Sequence, residues 1–329
     1  MSDPRLTAAQ AYLAAVRFDP TAMPHAEVAF ERGELLGQGG MGAVYRVRDR
    51  RLDRPAALKV VLPGADDAAL ERFTRESRIT ARLDHPAIPP VYEAGTSPRG
   101  ERYLLMRVVE GQPLSERVKE LHAAGPPALE PGGPLGELLS VLATVAEAVA
   151  YAHSEGVIHR DLKPSNVMVG GFGEVLVMDW GLALERGQEE EDERLRTSLA
   201  PLPPDAAGLT QAGTVLGTLG YLPPEQADGQ RVDARADVFA LGAILVELLT
   251  GKPPIEGASV VNKLTATIRG QIATPRQRRR DVPRDLDALA RAALAPEPAQ
   301  RLESAERFAQ ELRAWLRGDP LRCYRYTAG

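Results

Sequence analysis

The sequence predicts an α+β protein of two lobes: a small strand-rich N-terminal lobe with one key helix, then a larger, mainly helical C-terminal lobe. Three observations carry this. The 329 residues exceed the roughly 150 typical of one domain. Strand-like runs crowd the stretch from Glu31 to Val109. Beyond Gly111 apolar positions recur at helical spacing over long segments, among them Leu138–Ser154, Asp285–Leu294 and Ser304–Leu316.

Residues 1–28 read as a polar lead-in with an Ala-rich helix near Ala8–Arg17. Strand character then runs through Ala43–Arg48 and Ala56–Val61, and returns at Ile88–Glu93 and Arg102–Val109. Between them, Asp66–Leu83 is predicted helical. Phe73, Ile79, Thr80 and Leu83 fall on one arc of it, with Glu76 in the middle. A carboxylate on an apolar face needs a buried partner. Ala123–Gly136, rich in Pro, Gly and Ala, is predicted to be a loop, and Asn166–Val169 with Val175–Met178 to form a hairpin. Glu185–Glu193 holds six acids in nine residues and is expected to be a surface loop. Val238–Leu249 is apolar on every side, a helix buried all round and too short to span a bilayer. Arg276–Arg280, four Arg in five residues, is expected to be a solvated loop.

Composition narrows the function classes. Forty basic against 45 acidic residues give a net charge of −5, which argues against a nucleic-acid-coating protein or one built on an anionic membrane. A single cysteine, Cys323, rules out a disulfide scaffold and a Cys-based zinc site. His25, His122 and His153 offer no metal spacing. No basic stretch followed by an apolar core opens the chain, so a soluble, intracellular protein is expected.

The chemistry-bearing residues form a series. Gly37-x-Gly39-x-x-Gly42-x-Val44 joins two strand-like segments rather than a strand and a helix. It therefore suits a hairpin folded over nucleotide phosphates better than a dinucleotide fingerprint. A P-loop is excluded, because Gly251-Lys252 is followed by Pro253. Lys59 sits in the apolar run Ala57–Val61, just before the helix that carries Glu76 on its apolar face. Pairing the two explains both. His159-Arg-Asp-Leu-Lys-Pro-Ser-Asn166 and, thirteen residues on, Asp179-Trp180-Gly181 supply a base (Asp161), a phosphate-contacting cation (Lys163) and two oxygen ligands suited to Mg²⁺ (Asn166, Asp179).

With these motifs and Pro223-Pro-Glu225 in order from about Phe30 to Arg317, the chain resembles bacterial eukaryotic-like (Hanks-type) serine/threonine protein kinases. The resemblance implies a bilobal protein-kinase-like fold with an antiparallel-sheet N-lobe. It divides the chain into an N-terminal extension (1–29), a kinase domain (N-lobe 30–109, C-lobe 110–317) and a tail (318–329). It also implies transfer of the γ-phosphoryl of ATP, with Mg²⁺ or Mn²⁺, to Ser/Thr hydroxyls of proteins. Gly37, Gln38, Gly39, Gly40, Met41, Gly42, Val44 and Ala57 would cover ATP, with Lys59 on its phosphates and Glu76 positioning Lys59. Met106 matches the gatekeeper, and the Arg107 carbonyl and Val109 backbone would hold adenine. Asp161 and Lys163 would be catalytic, Asn166 and Asp179 would bind metal, and Lys163 with Thr218 resembles the Ser/Thr-directed branch. Glu225 resembles an acid that pairs with a late Arg, for which Arg301 is placed, and Asp237 one that braces the catalytic-loop backbone.

Thr210 and Thr214 sit where similar kinases carry activating phosphothreonines, with Arg160 the phosphate's charge partner; Thr197 and Ser198 are weaker candidates. The resemblance implies protein substrates, no nucleic acid, no membrane span within the chain and N-lobe homodimerisation. It places the chain in the cytoplasm, alone or as the cytoplasmic domain of a longer membrane kinase. Departures are Trp180 where most of the family has Phe, Pro223 for Ala, and the long acidic insert. Trp180 alone favours the alternative of a pseudokinase scaffold or nucleotide sensor. A small-molecule phosphotransferase would lack the full catalytic octapeptide.

Overall fold

A computed structural model describes residues 30–38, 42–62, 64–97, 100–185, 219–256 and 259–326. The expected helix near Ala8–Arg17, Gly39–Met41, the acidic run beyond Glu185, and Thr197, Ser198, Thr210, Thr214 and Thr218 lie outside the described residues. The chain divides into two compact units. One comprises residues up to Ser77 with Val91–Val108; the other comprises Arg78–Pro90 and residues from Val109 on.

In the first unit, strands β1 (Phe30–Gln38), β2 (Gly42–Asp49), β3 (Arg54–Val61), β4 (Val91–Thr96) and β5 (Arg102–Met106) form an antiparallel sheet ordered β1-β2-β3-β5-β4. Alternation along β3 sorts its side chains. Ala56, Leu58 and Val60 enter the core of one face, while Ala57 and Val61 pack on the other with Phe73 of helix α1 (Asp67–Arg82). Period two gives Lys59 the α1 face. Asp66 starts that helix by accepting a hydrogen bond from the Ala69 N–H at 2.7 Å. The strand expected at Ile88–Glu93 begins only at Val91, because Pro89 and Pro90 have no N–H to give a ladder.

In the second unit, α2 (Leu114–His122) and α3 (Pro134–Ser154) precede two small antiparallel sheets. Strands β6 (Gln112–Pro113), β8 (Val167–Val169) and β9 (Val175–Val177) make one; β7 (Val157–Ile158) and β10 (Leu184–Glu185) make the other. Helices α4 (Pro224–Ala227), α5 (Arg235–Thr250), α6 (Val260–Ile268), α7 (Pro275–Arg278), α8 (Arg284–Ala293) and α9 (Ala305–Arg317) follow. Thirteen of the 16 residues of α5 are buried, as expected for a helix apolar all round. Gly242 lets α8 approach it closely, since a Cβ there would lie 2.7 Å from that of Ala293. By length and composition α3 could cross a membrane. Here it is a core helix, with Leu135, Leu139, Leu142 and Val145 wholly buried.

Two expectations need correction. Arg276–Arg280 is not a solvated loop. Arg276 donates to the Val282 carbonyl, Arg278 to those of Pro253 and Pro254, and Arg279 to those of Leu249 and Pro127. Five-donor guanidinium groups are here tying down loop carbonyls that helices and sheets leave unpaired. Glu185 belongs not to an acidic loop but to β10, opposite Val157, and pairs with Arg82.

The Glu225–Arg301 pair is bidentate, with both N–H···O contacts at 2.6 Å and side chains 4% and 0% exposed. Arg301 also donates to the carbonyls of Ala295, Pro296 and Arg235. Removing one partner leaves a buried charge unpaired, so Arg301→Leu should destabilise by about 3–5 kcal/mol in urea unfolding. A loss below about 1 kcal/mol, the range of an exposed pair, would contradict this.

Candidate active site

The first unit brings Lys59 and Glu76 together. Lys59, opposite Val44 on β2 and Leu104 on β5, donates from Nζ to Glu76 Oε1 at 2.5 Å, the side chains being 16% and 7% exposed. Opposite charges at this distance each relieve the other's burial. Ala57 pairs with Met106, both buried, while Arg107 is exposed. Gly42 has a local reason beyond any ligand. A Cβ there would stand 2.4 Å from the Val60 carbonyl oxygen, so the β2–β3 register itself demands glycine. Gly37 and Gln38 lie exposed on β1 opposite Val44 and Ala43.

The second unit assembles the octapeptide around α5. Asp237, near the first turn of α5 and 1% exposed, accepts the His159 N–H at 2.8 Å on Oδ2 and the Arg160 N–H at 2.9 Å on Oδ1. His153 Nε2 bonds Oδ2 at 2.8 Å. Burial alone would push this carboxyl up. The His153 hydrogen bond, the charges of His153 and His159 and the His159 N–H hold it below the usual carboxylate range instead. Held this way, the backbone turns sharply, and Arg160 adopts a left-handed φ of 68° rare outside glycine.

Asp161 follows. Its Oδ2 accepts Lys163 Nζ at 2.7 Å and Asn166 Nδ2 at 3.2 Å, and Asn166 also donates to its backbone carbonyl at 2.9 Å. Its Oδ1 takes no hydrogen bond from the described residues, so one oxygen is oriented and the other is available to accept a proton. The Met178 N–H donates to the Asn166 carbonyl at 2.7 Å, which ties the next residue, Asp179, to the same loop. Asp179 is exposed, left-handed at φ 62°, and without a partner among the described residues. Asn166 and Asp179 thus offer hard oxygens of the kind a divalent cation takes when substrate phosphates complete its shell.

Trp180 departs from the family's usual Phe at little cost. It is 1% exposed, its indole N–H donates to the Val177 carbonyl at 3.2 Å, and its ring packs 4.6 Å from that of His159. His159 in turn bonds the Met178 carbonyl at 3.1 Å. Sequence reading missed His153 and Gln226, the latter donating to the Arg160 carbonyl at 3.1 Å. Their partners lie 84 and 66 residues away in the chain, and no local pattern announces such a pair.

Residues 30–312 match the protein kinase domain family, and the chain belongs to it. It is 36% identical to the serine/threonine-protein kinase PknB of Mycobacterium leprae over 91% of this chain and 45% of that protein. It is 35% identical to a probable serine/threonine-protein kinase of Streptomyces coelicolor over 89% and 40%. It is 33% identical to the serine/threonine-protein kinase PknD of Protochlamydia amoebophila over 91% and 31%. The chain therefore spans less than half the length of these relatives.

Tyr221 donates to Glu247 Oε2 at 2.5 Å. Burial raises the Glu247 carboxyl, against the opposing Tyr221 hydrogen bond and Lys119 charge. Between its ordinary value of about 4.3 and the raised one, the folded chain holds this proton more tightly than the unfolded chain. Stability should then fall as pH rises through that window. The Glu247→Gln variant should lack that component of the slope in urea midpoints measured against pH; an unchanged slope would contradict the assignment.

Proposed function

We propose that the protein is an ATP-dependent serine/threonine protein kinase, using MgATP to phosphorylate Ser/Thr hydroxyls of proteins. The arrangement of Asp161, with Lys163 and Asn166 on one oxygen and no described residue bonding the other, supports this reading above all else. Asp161 takes the proton of the substrate hydroxyl as its oxygen attacks the γ-phosphorus and the bond to ADP breaks. Lys163 offsets charge on the transferring group. Lys59, fixed by Glu76, grips the nucleotide's α- and β-phosphates, Val44 and Ala57 help cover the nucleotide, and the Arg107 carbonyl and Val109 backbone hold its adenine after the gatekeeper Met106. Asn166 and Asp179 would hold Mg²⁺, which when bound would offset phosphate charge.

In this reading the protein phosphorylates its own segment between Asp179 and Glu225, at Thr210 and Thr214, with Arg160 as the charge partner. It acts in the cytoplasm, alone or as part of a longer membrane kinase. The pseudokinase alternative rests on Trp180 alone, and Lys59, Asp161 and Asp179 are all retained.

Label from γ-labelled ATP with Mg²⁺ should appear on Ser or Thr of a generic protein substrate and, by mass spectrometry, on Thr210 or Thr214. Asp161→Asn should lower transfer roughly a hundredfold or more. Lys59→Met should weaken nucleotide use and, because it takes the cation away from buried Glu76, also lower the melting temperature. Wild-type protein that binds ATP yet transfers nothing would favour the scaffold reading.

A further inference from the structure

We propose that Gln226 is a positioning residue for the catalytic loop, clamping the carbonyl of left-handed Arg160 and so setting the backbone that presents Asp161. This inference rests on the kinase reading for its catalytic consequence, but its geometry stands alone.

Arg160 is one of four non-glycine residues with positive φ among the described residues, and such a backbone persists only where its surroundings over-determine it. Its two peptide groups are fastened from different elements. The N–H donates to Asp237 Oδ1 on α5 at 2.9 Å, and the C=O accepts from Gln226 Nε2 on α4 at 3.1 Å. The four-residue helix α4 is itself anchored, since Glu225, the residue before Gln226, carries the buried bidentate pair to Arg301. The clamp is therefore mounted on a rigid base, a single step of chain from an ion pair.

The other amide atom adds a second observation. Gln226 Oε1 is buried and has no hydrogen-bond partner among the described residues. Gln226 lines a cavity of about 10 Å³ together with Arg160, Asp161, Tyr221 and Asp237. That is room for about one water, a partner for the oxygen while the nitrogen holds Arg160. Glutamine fits both demands, because it offers a donor and an acceptor on one planar group. Leucine offers neither, and glutamate at neutral pH offers only acceptors toward a carbonyl. The chain order makes the clamp a link as well: residues 219–226 lead directly into it, so the backbone that follows the Thr210–Thr218 stretch bears on Asp161 through one side chain.

Two variants of the full chain test this, Gln226→Leu and Gln226→Glu, each measured where its circular dichroism matches wild type. The first readout is backbone amide exchange in peptides covering residues 159–162. It should quicken about threefold to tenfold in Gln226→Leu, the factor expected for one lost hydrogen bond, and further in Gln226→Glu. The second is kinetic: kcat should fall in the same order while KM for ATP stays within about twofold, since an interaction made to the base's backbone is not a nucleotide contact. Unchanged exchange in both variants overturns the proposal, as does a change in KM for ATP with kcat intact. If wild type transfers no phosphate, the kinase reading fails by that result, and the exchange measurement still decides the role of Gln226.

Discussion

A single buried carboxylate, Asp237, carries the order of the second unit's chemistry. Two consecutive N–H groups of the octapeptide end on its two oxygens, and His153 closes the remaining approach. A charge this deep is tolerable only with such a full set of donors. With them it does what a neutral side chain does less well: charge-assisted hydrogen bonds fix both the position and the direction of the loop. Because Asp237 sits on α5, the most thoroughly buried helix, the loop inherits the rigidity of the core. The left-handed turn at Arg160 and the placement of Asp161 after it follow from that attachment.

Buried polar groups recur where loops are held. Lys59 with Glu76 in the first unit and Glu225 with Arg301 in the second are buried ion pairs at or beside functional segments, and buried Asp237 is satisfied by His153 and two backbone N–H groups. Several loop carbonyls are collected by arginines, of which the sequence holds 35 against five lysines. Arg276, Arg278 and Arg279 each bond backbone carbonyls, a task for which a guanidinium fork has more donors than an ammonium. Trp180 shows the same economy. Its larger ring fills the space beside His159, and its added N–H finds a carbonyl.

Local pattern made much of this legible. The apolar run Ala57–Val61 around Lys59 and the helical arc around Glu76 were enough to pair the two, because a charge set among apolar residues calls for a counter-charge. The run Val238–Leu249, apolar but for Glu247, likewise announced a buried helix. Prolines 89 and 90 displaced a strand that hydropathy alone suggested. Arginine density was misleading, since a run of cations reads the same whether it meets water or carbonyls. His153 and Gln226 were out of reach of sequence because their partners arrive only through the fold. Gly42 illustrates a subtler limit: its place in a phosphate-binding pattern was plain, yet β2–β3 packing requires glycine there as well.

The most direct test of this account is phosphate transfer by Asp237→Asn, measured beside its nucleotide affinity. The substitution keeps the volume and one acceptor but cannot hold two N–H groups on ionised oxygens. The account predicts transfer reduced on the order of a hundredfold, with ATP affinity close to wild type and circular dichroism unchanged. Transfer near the wild-type rate in a folded Asp237→Asn protein would show that the loop keeps its geometry without the carboxylate, and would contradict the account.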